Sequence, residues 1–91
     1  MKKRITVEIT GRVQFVMFRD FTRRNALSLD VNGWVKNNDD GSVSIVAEGE
    51  EEHLKKFLQF VSKGSLLARV DNVHVEWGTA TGEFTTFVIN Y

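Results

Sequence analysis

The chain has 91 residues, 42% of them hydrophobic, with 12 basic side chains balancing 12 acidic ones. That is the size of one domain, residues 1–91, with enough apolar content for a core and no net charge to supply a nucleic-acid tail or a polybasic membrane patch. The absence of cysteine excludes disulfides, thiolate chemistry and sulfur-ligated metal.

In residues 4–10, apolar Ile5, Val7 and Ile9 alternate with polar positions, which predicts a strand with one buried face. Residues 18–29 have helical spacing, with Phe18, Phe21, Ala26 and Leu29 on one side and Asn25 weakening the stripe. Residues 31–37 form a second strand. Asn38-Asp39-Asp40-Gly41 then makes a hairpin turn into a third strand at 42–48, with Val43, Ile45 and Ala47 inward. Leu54, Phe57, Leu58 and Val61 place a second helix at about 50–62, with glutamates in its first turn and Lys63-Gly64 at its end. Residues 70–77 form a fourth strand with Val73, Val75 and Trp77 on one face, and residues 84–91 a short fifth with Phe87, Ile89 and Tyr91 inward. The order β-α-β-β-α-β predicts an α+β, ferredoxin-like sandwich, with two helices on one face of an antiparallel sheet.

The segment Gly11-Arg12-Val13-Gln14-Phe15-Val16-Met17-Phe18-Arg19 carries the strongest chemical signal. It joins a strand to a helix start, where backbone N–H groups have no intrahelical partner and can bind an anion. Arg19, second in the helix, faces the helix dipole unfavourably, so an anion beside it would relieve the charge. An arginine also offers a planar fork of donors that suits phosphate oxygens. His53 and His74 fall on separate elements and make neither a triad nor a metal site. No apolar run approaches the roughly 18 residues of a spanning helix. Residues 5–10 alternate where a signal peptide would have its apolar stretch. A soluble, cytoplasmic monomer is expected, with no nucleic-acid or membrane partner.

These residues resemble the acylphosphatase family over essentially the whole chain. The signature GRVQ-G-V-x-FR is matched by Gly11, Arg12, Val13, Gln14, Val16, Phe18 and Arg19. A second motif is matched by Gly33-Trp34-Val35-Lys36-Asn37 with Asp40-Gly41-Ser42-Val43, and weaker echoes are Val46-Ala47-Glu48-Gly49, Ala68-Arg69-Val70-Asp71 and Thr81-Gly82-Glu83-Phe84. The resemblance implies hydrolysis of small acyl phosphates, such as carbamoyl phosphate or a glycolytic acyl phosphate, to carboxylate and phosphate without metal or cofactor. It implies that Arg19 binds phosphate and Asn37 orients the attacking water. The backbone N–H groups of Arg12, Val13, Gln14, Phe15, Val16, Met17 and Phe18 would cradle phosphate or another anion.

The chain departs from that signature at Phe15, where the family has glycine. In a left-handed backbone a non-glycine residue costs about 1–2 kcal/mol, so the loop is expected either to hold strain or to re-form. Asp30 stands where a helix-ending glycine is common and tolerates that conformation better. The alternative reading is a non-catalytic anion-binding module impaired by Phe15. An RNA-binding sandwich would need exposed aromatics on its central strands, and the strand at 42–48 has none.

Overall fold

A computed structural model describes residues 1–91. In chain order the elements are β1 (Lys2–Arg12), α1 (Phe18–Ser28), β2 (Asn32–Asn37), β3 (Val43–Glu50), α2 (Glu51–Lys63), β4 (Arg69–Thr79) and β5 (Phe87–Asn90). The strands form a single sheet in the order β4-β1-β3-β2-β5. The ferredoxin-like sandwich is as the sequence implies, with one change: β5 runs parallel to β2, so the sheet is mixed. The parallel edge follows from connectivity. The chain leaves β4 at one edge and crosses to the other before β5 begins, so no hairpin sets the direction of the last strand.

Alternation along the strands builds the core in rows. Register places Val75, Val7, Ile45, Val35 and Ile89 side by side across all five strands. The next row holds Val73, Ile9, Val43 and Asn37. Ile5, Val7, Ile9, Val35, Val43, Ile45 and Ala47 are fully buried under the helices. From α1 come Phe18, Ala26 and the polar Thr22, and from α2 Leu54, Phe57 and Val61. Gly33 is obligatory within its row: a Cβ there would collide with the Val46 carbonyl, and its φ is +148°.

Trp77 shares the helix-facing side with Val73 and Val75, yet it is half exposed, because it sits on the edge strand beside the first turns of α2. Residues 84–86 precede the last strand instead of opening it. Tyr91, expected inward, is 93% exposed beyond the end of β5. Asp30 adopts φ 57°, the left-handed end to α1 that its sequence position implies.

The crossing segment is held by a buried carboxylate. Glu48, only 6% exposed, accepts hydrogen bonds from the Thr81 N–H at 2.9 Å, the Gly82 N–H at 3.0 Å and the Thr81 hydroxyl at 3.0 Å. Arg4 bridges it to Glu83, with N···O distances of 3.4 and 2.6 Å. Burial raises the Glu48 pKa, but the donors from Thr81 and Gly82 and the charge of Arg4 outweigh it, and the carboxyl ends below its ordinary range.

A carboxyl depressed in the fold stabilises the protein above its unfolded value, about 4.5, and that contribution is lost as pH falls through the folded value. Glu48→Gln is therefore expected to lower stability at neutral pH by about 1–3 kcal/mol. The variant should also flatten the acid limb of a plot of unfolding free energy against pH. Urea titrations between pH 3 and pH 7 check both; parallel curves for the two proteins would show that Glu48 is not the acid-sensitive contact.

Candidate active site

The β1–α1 connection begins with a bulge. Register between β1 and β4 shifts at Thr10/Gly11, and Gly11 takes φ +129° where a Cβ would collide with the Arg69 carbonyl. A bulge re-aims the strand, here into a loop that starts at Val13 and ends at Phe18, both buried in the core. The chain between these two anchors is short and turns sharply. Phe15 (φ 61°) and Met17 (φ 60°) both adopt the left-handed conformation, Met17 as the residue that opens α1. Alternating hand along successive residues turns backbone N–H groups toward one concavity, the nest geometry used for anions.

The N–H groups of Gln14, Phe15, Val16 and Met17 make none of the backbone hydrogen bonds outside the regular elements. The first-turn N–H groups of α1 lack intrahelical partners by geometry. Gln14 fixes the loop to the neighbouring hairpin: its amide donates to the Asn38 carbonyl at 2.8 Å and the Ser42 carbonyl at 2.9 Å. That hairpin is itself cross-linked. Asn38 donates to the hydroxyls of Ser42 and Ser44 at 2.9 and 2.7 Å, Ser44 bonds Glu8, and Asp40 accepts from the Ser42 hydroxyl and N–H at 2.6 and 3.0 Å. These two Ser42 donors, the hydroxyl first, hold the Asp40 carboxyl below its ordinary range.

A cleft of about 180 Å³ lies where the loop meets the end of the sheet, lined by Val13, Phe15, Met17, Phe18, Arg19, Asp20, Asn37, Ile89 and Tyr91. The structure thus brings Arg19 and Asn37 together, as the sequence implies, with the loop backbone between them. Asn37 ends β2 on the helix-facing side of the sheet, and its Oδ1 is buried with no protein partner. A buried unsatisfied acceptor costs roughly 1–3 kcal/mol and is retained where something else hydrogen-bonds to it.

Arg19 makes no ion pair with a protein carboxylate. Its guanidinium lies 5.0 Å from the centre of the Tyr91 ring, a cation–π arrangement that restrains the side chain and leaves its donor edge free. Asp20, the acidic residue of the lining, is paired with Arg24 at 2.9 Å. The lining contains no histidine, cysteine, serine, lysine or glutamate, and no group of three or more His, Cys, Asp or Glu side chains is placed to hold a metal.

Arg12 ends β1 exposed and opposite Arg69, outside the cleft, while Gln14 and Val16 face away from it. For these three the expectation concerns backbone N–H groups, and only Gln14 and Val16 lie within the loop proper. Asp20, Ile89 and Tyr91 join the lining without having been singled out as site residues. The β2–β5 register holds a signal for Tyr91. Val35 pairs with Ile89 and Lys36 with Asn90, so one further step sets Tyr91 level with Asn37.

An acylphosphatase family model matches residues 5–89. The chain is 49% identical over 86 residues to an acylphosphatase of Salinibacter ruber, covering 94% of this chain and 90% of that one. It is 51% identical over 89 residues to an acylphosphatase of Thermotoga petrophila, covering 98% of each. Among solved structures, the crystal structure of acylphosphatase from Bacillus subtilis superposes with a TM-score of 0.95 at 37% identity, over 98% of this chain and 99% of that one.

Phe15 is 93% exposed, so its ring gains almost no burial to offset its left-handed backbone. Relief of about 1–2 kcal/mol of strain outweighs the roughly 0.5–1 kcal/mol entropic cost of glycine. Phe15→Gly is accordingly expected to raise stability by up to about 1 kcal/mol, read as a higher urea midpoint at unchanged slope. A clear loss of stability would mean that the ring packs in solution.

Proposed function

The chain belongs to the acylphosphatase family and is an enzyme of that activity, and from that premise we propose that its loop, Arg19 and Asn37 are the parts that carry out the hydrolysis. In this reading the phosphoryl group of an acyl phosphate sits in the loop between Val13 and Phe18, its oxygens taken by N–H groups that donate to no other backbone group. Arg19 supplies the single full positive charge of the lining. Asn37 Oδ1 accepts a hydrogen bond from the attacking water and aims its oxygen at phosphorus. The new P–O bond forms as the bond to the carboxyl oxygen breaks, releasing carboxylate and phosphate.

The division of labour follows from the substrate's chemistry. A mixed anhydride already carries a good leaving group, so placement and charge stabilisation can supply most of the rate. An amide cannot take a proton at neutral pH, so Asn37 orients the water and does not act as a base. The water's proton passes to a phosphate oxygen of the substrate. Neither a metal nor a cofactor enters this scheme, and the substrate class is a small acyl phosphate.

The observation that carries the reading is the orphaned Asn37 Oδ1 beside an unpaired arginine and a left-handed loop. The same geometry favours catalysis over an impaired anion-binding module, because Phe15 keeps the left-handed backbone that a glycine would adopt. Arg19→Ala is expected to lower kcat/KM for benzoyl phosphate by at least about a hundredfold with the circular dichroism spectrum unchanged; near wild-type turnover would sink the assignment. Asn37→Ala should lower kcat by about a hundredfold while inhibition by inorganic phosphate stays within a factor of about three. The opposite split would make Asn37 a binding residue.

A further inference from the structure

The peptide between Val16 and Met17 lies at the centre of the loop, and its orientation is set from outside the cleft. The Ser65 hydroxyl donates to the Val16 carbonyl at 3.0 Å across 49 residues of sequence. Ser65 does not line the cleft of Arg19 and Asn37. It lines a second groove, together with Val16, Phe21 and Arg24, that shares only Met17 with that cleft. In a trans peptide the carbonyl and the following N–H point in opposite directions. A carbonyl turned toward Ser65 therefore sends the Met17 N–H away from that groove.

Ser65 is itself firmly placed. The preceding Gly64 ends α2 with φ +81°, its N–H donating to the Phe60 carbonyl at 3.0 Å. The Ser65 carbonyl accepts from the Ala68 N–H at 3.0 Å and closes a four-residue turn. Leu66 and Leu67 form the exposed tip of this turn, so Ser65 is its anchored base.

Resting on the hydrolytic reading above, we propose that Ser65 is a positioning residue of the reaction: through Val16 it holds the Met17 N–H in the orientation that receives a phosphate oxygen. Ser65 touches neither substrate nor water. Without its hydroxyl, the Val16–Met17 peptide can rotate, and the loop must be ordered at the moment of binding instead of beforehand.

Ser65→Ala and Ser65→Thr in the full chain test this. The readouts are turnover of benzoyl phosphate and the response of backbone amide NMR signals to inorganic phosphate. Ser65→Ala is expected to weaken phosphate binding and kcat/KM by about fivefold, in line with one lost hydrogen bond. It should shrink the phosphate-induced shift of the Met17 amide more than that of Phe18, while Ser65→Thr stays near wild type. Equal phosphate responses in wild type and Ser65→Ala would overturn the proposal alone. So would a uniform loss across the loop that threonine does not rescue, since that is the pattern of general destabilisation. A wild-type protein whose loop amides do not respond to phosphate at all would overturn the reading of the site, and the proposal with it.

Discussion

Two hydrogen bonds from one side chain hold the site together. Gln14 donates to the carbonyls of Asn38 and Ser42, tying the β1–α1 loop to the β2–β3 hairpin. Arg19 is fixed by α1 and Asn37 by β2, consecutive elements that pack directly on each other. The loop between Val13 and Phe18 has no such regular partner. The amide of Gln14 fastens it beside them, and it does so through backbone acceptors, whose positions the hairpin already determines. The hairpin is rigid in turn because Asn38, Ser42, Ser44, Asp40 and Glu8 bond one another.

The electrostatics of the cleft follow from what is paired and what is not. Asp20 lies beside Arg19 in the lining and could have neutralised it, but an i, i+4 partner on the helix, Arg24, draws the carboxylate off. Tyr91 offers Arg19 the face of a ring instead of a counterion. Such a contact restrains a guanidinium without consuming its donors. The charge is therefore held in place and still available to an anion. In the proposed site, a cleft with one arginine and one nearby aspartate can thereby favour an anion in a chain with no net charge.

Most of the fold was legible in the sequence, because periodicity reports burial directly. Alternation fixed β1 and β3, and the spacing of Leu54, Phe57 and Val61 fixed α2. What escaped lies at edges and ends, where a pattern of apolar residues no longer says what covers them. Trp77 keeps the right face but lacks a complete lid, and Tyr91 continues the alternation of β5 past the point where a core exists. The parallel pairing of β5 depends on a crossover that residue patterning does not encode. That Arg19 and Asn37 would share one cleft was legible because two spaced motifs share a family pattern. In the core, Thr22 was not legible, since a buried helical threonine whose hydroxyl finds no partner leaves no trace in a hydrophobic stripe. Nor was Ser65, whose partner is a carbonyl far along the chain.

Phe15 ties local strain to the task of the loop. Two non-glycine residues in left-handed conformation cost on the order of 2–4 kcal/mol together, a sizeable part of the 5–15 kcal/mol that stabilises a typical domain. A free loop of this composition would relax. It does not, because Val13 and Phe18 are buried at its ends, Gln14 is bonded to the hairpin and Val16 is bonded to Ser65. Strain that persists only because its surroundings over-determine it is characteristic of functional sites. In the proposed mechanism it holds the unpaired loop N–H groups ready for an anion, so that binding need not order the backbone. The phenyl ring of Phe15, 93% exposed, gains little burial against that strain, so its cost falls on stability.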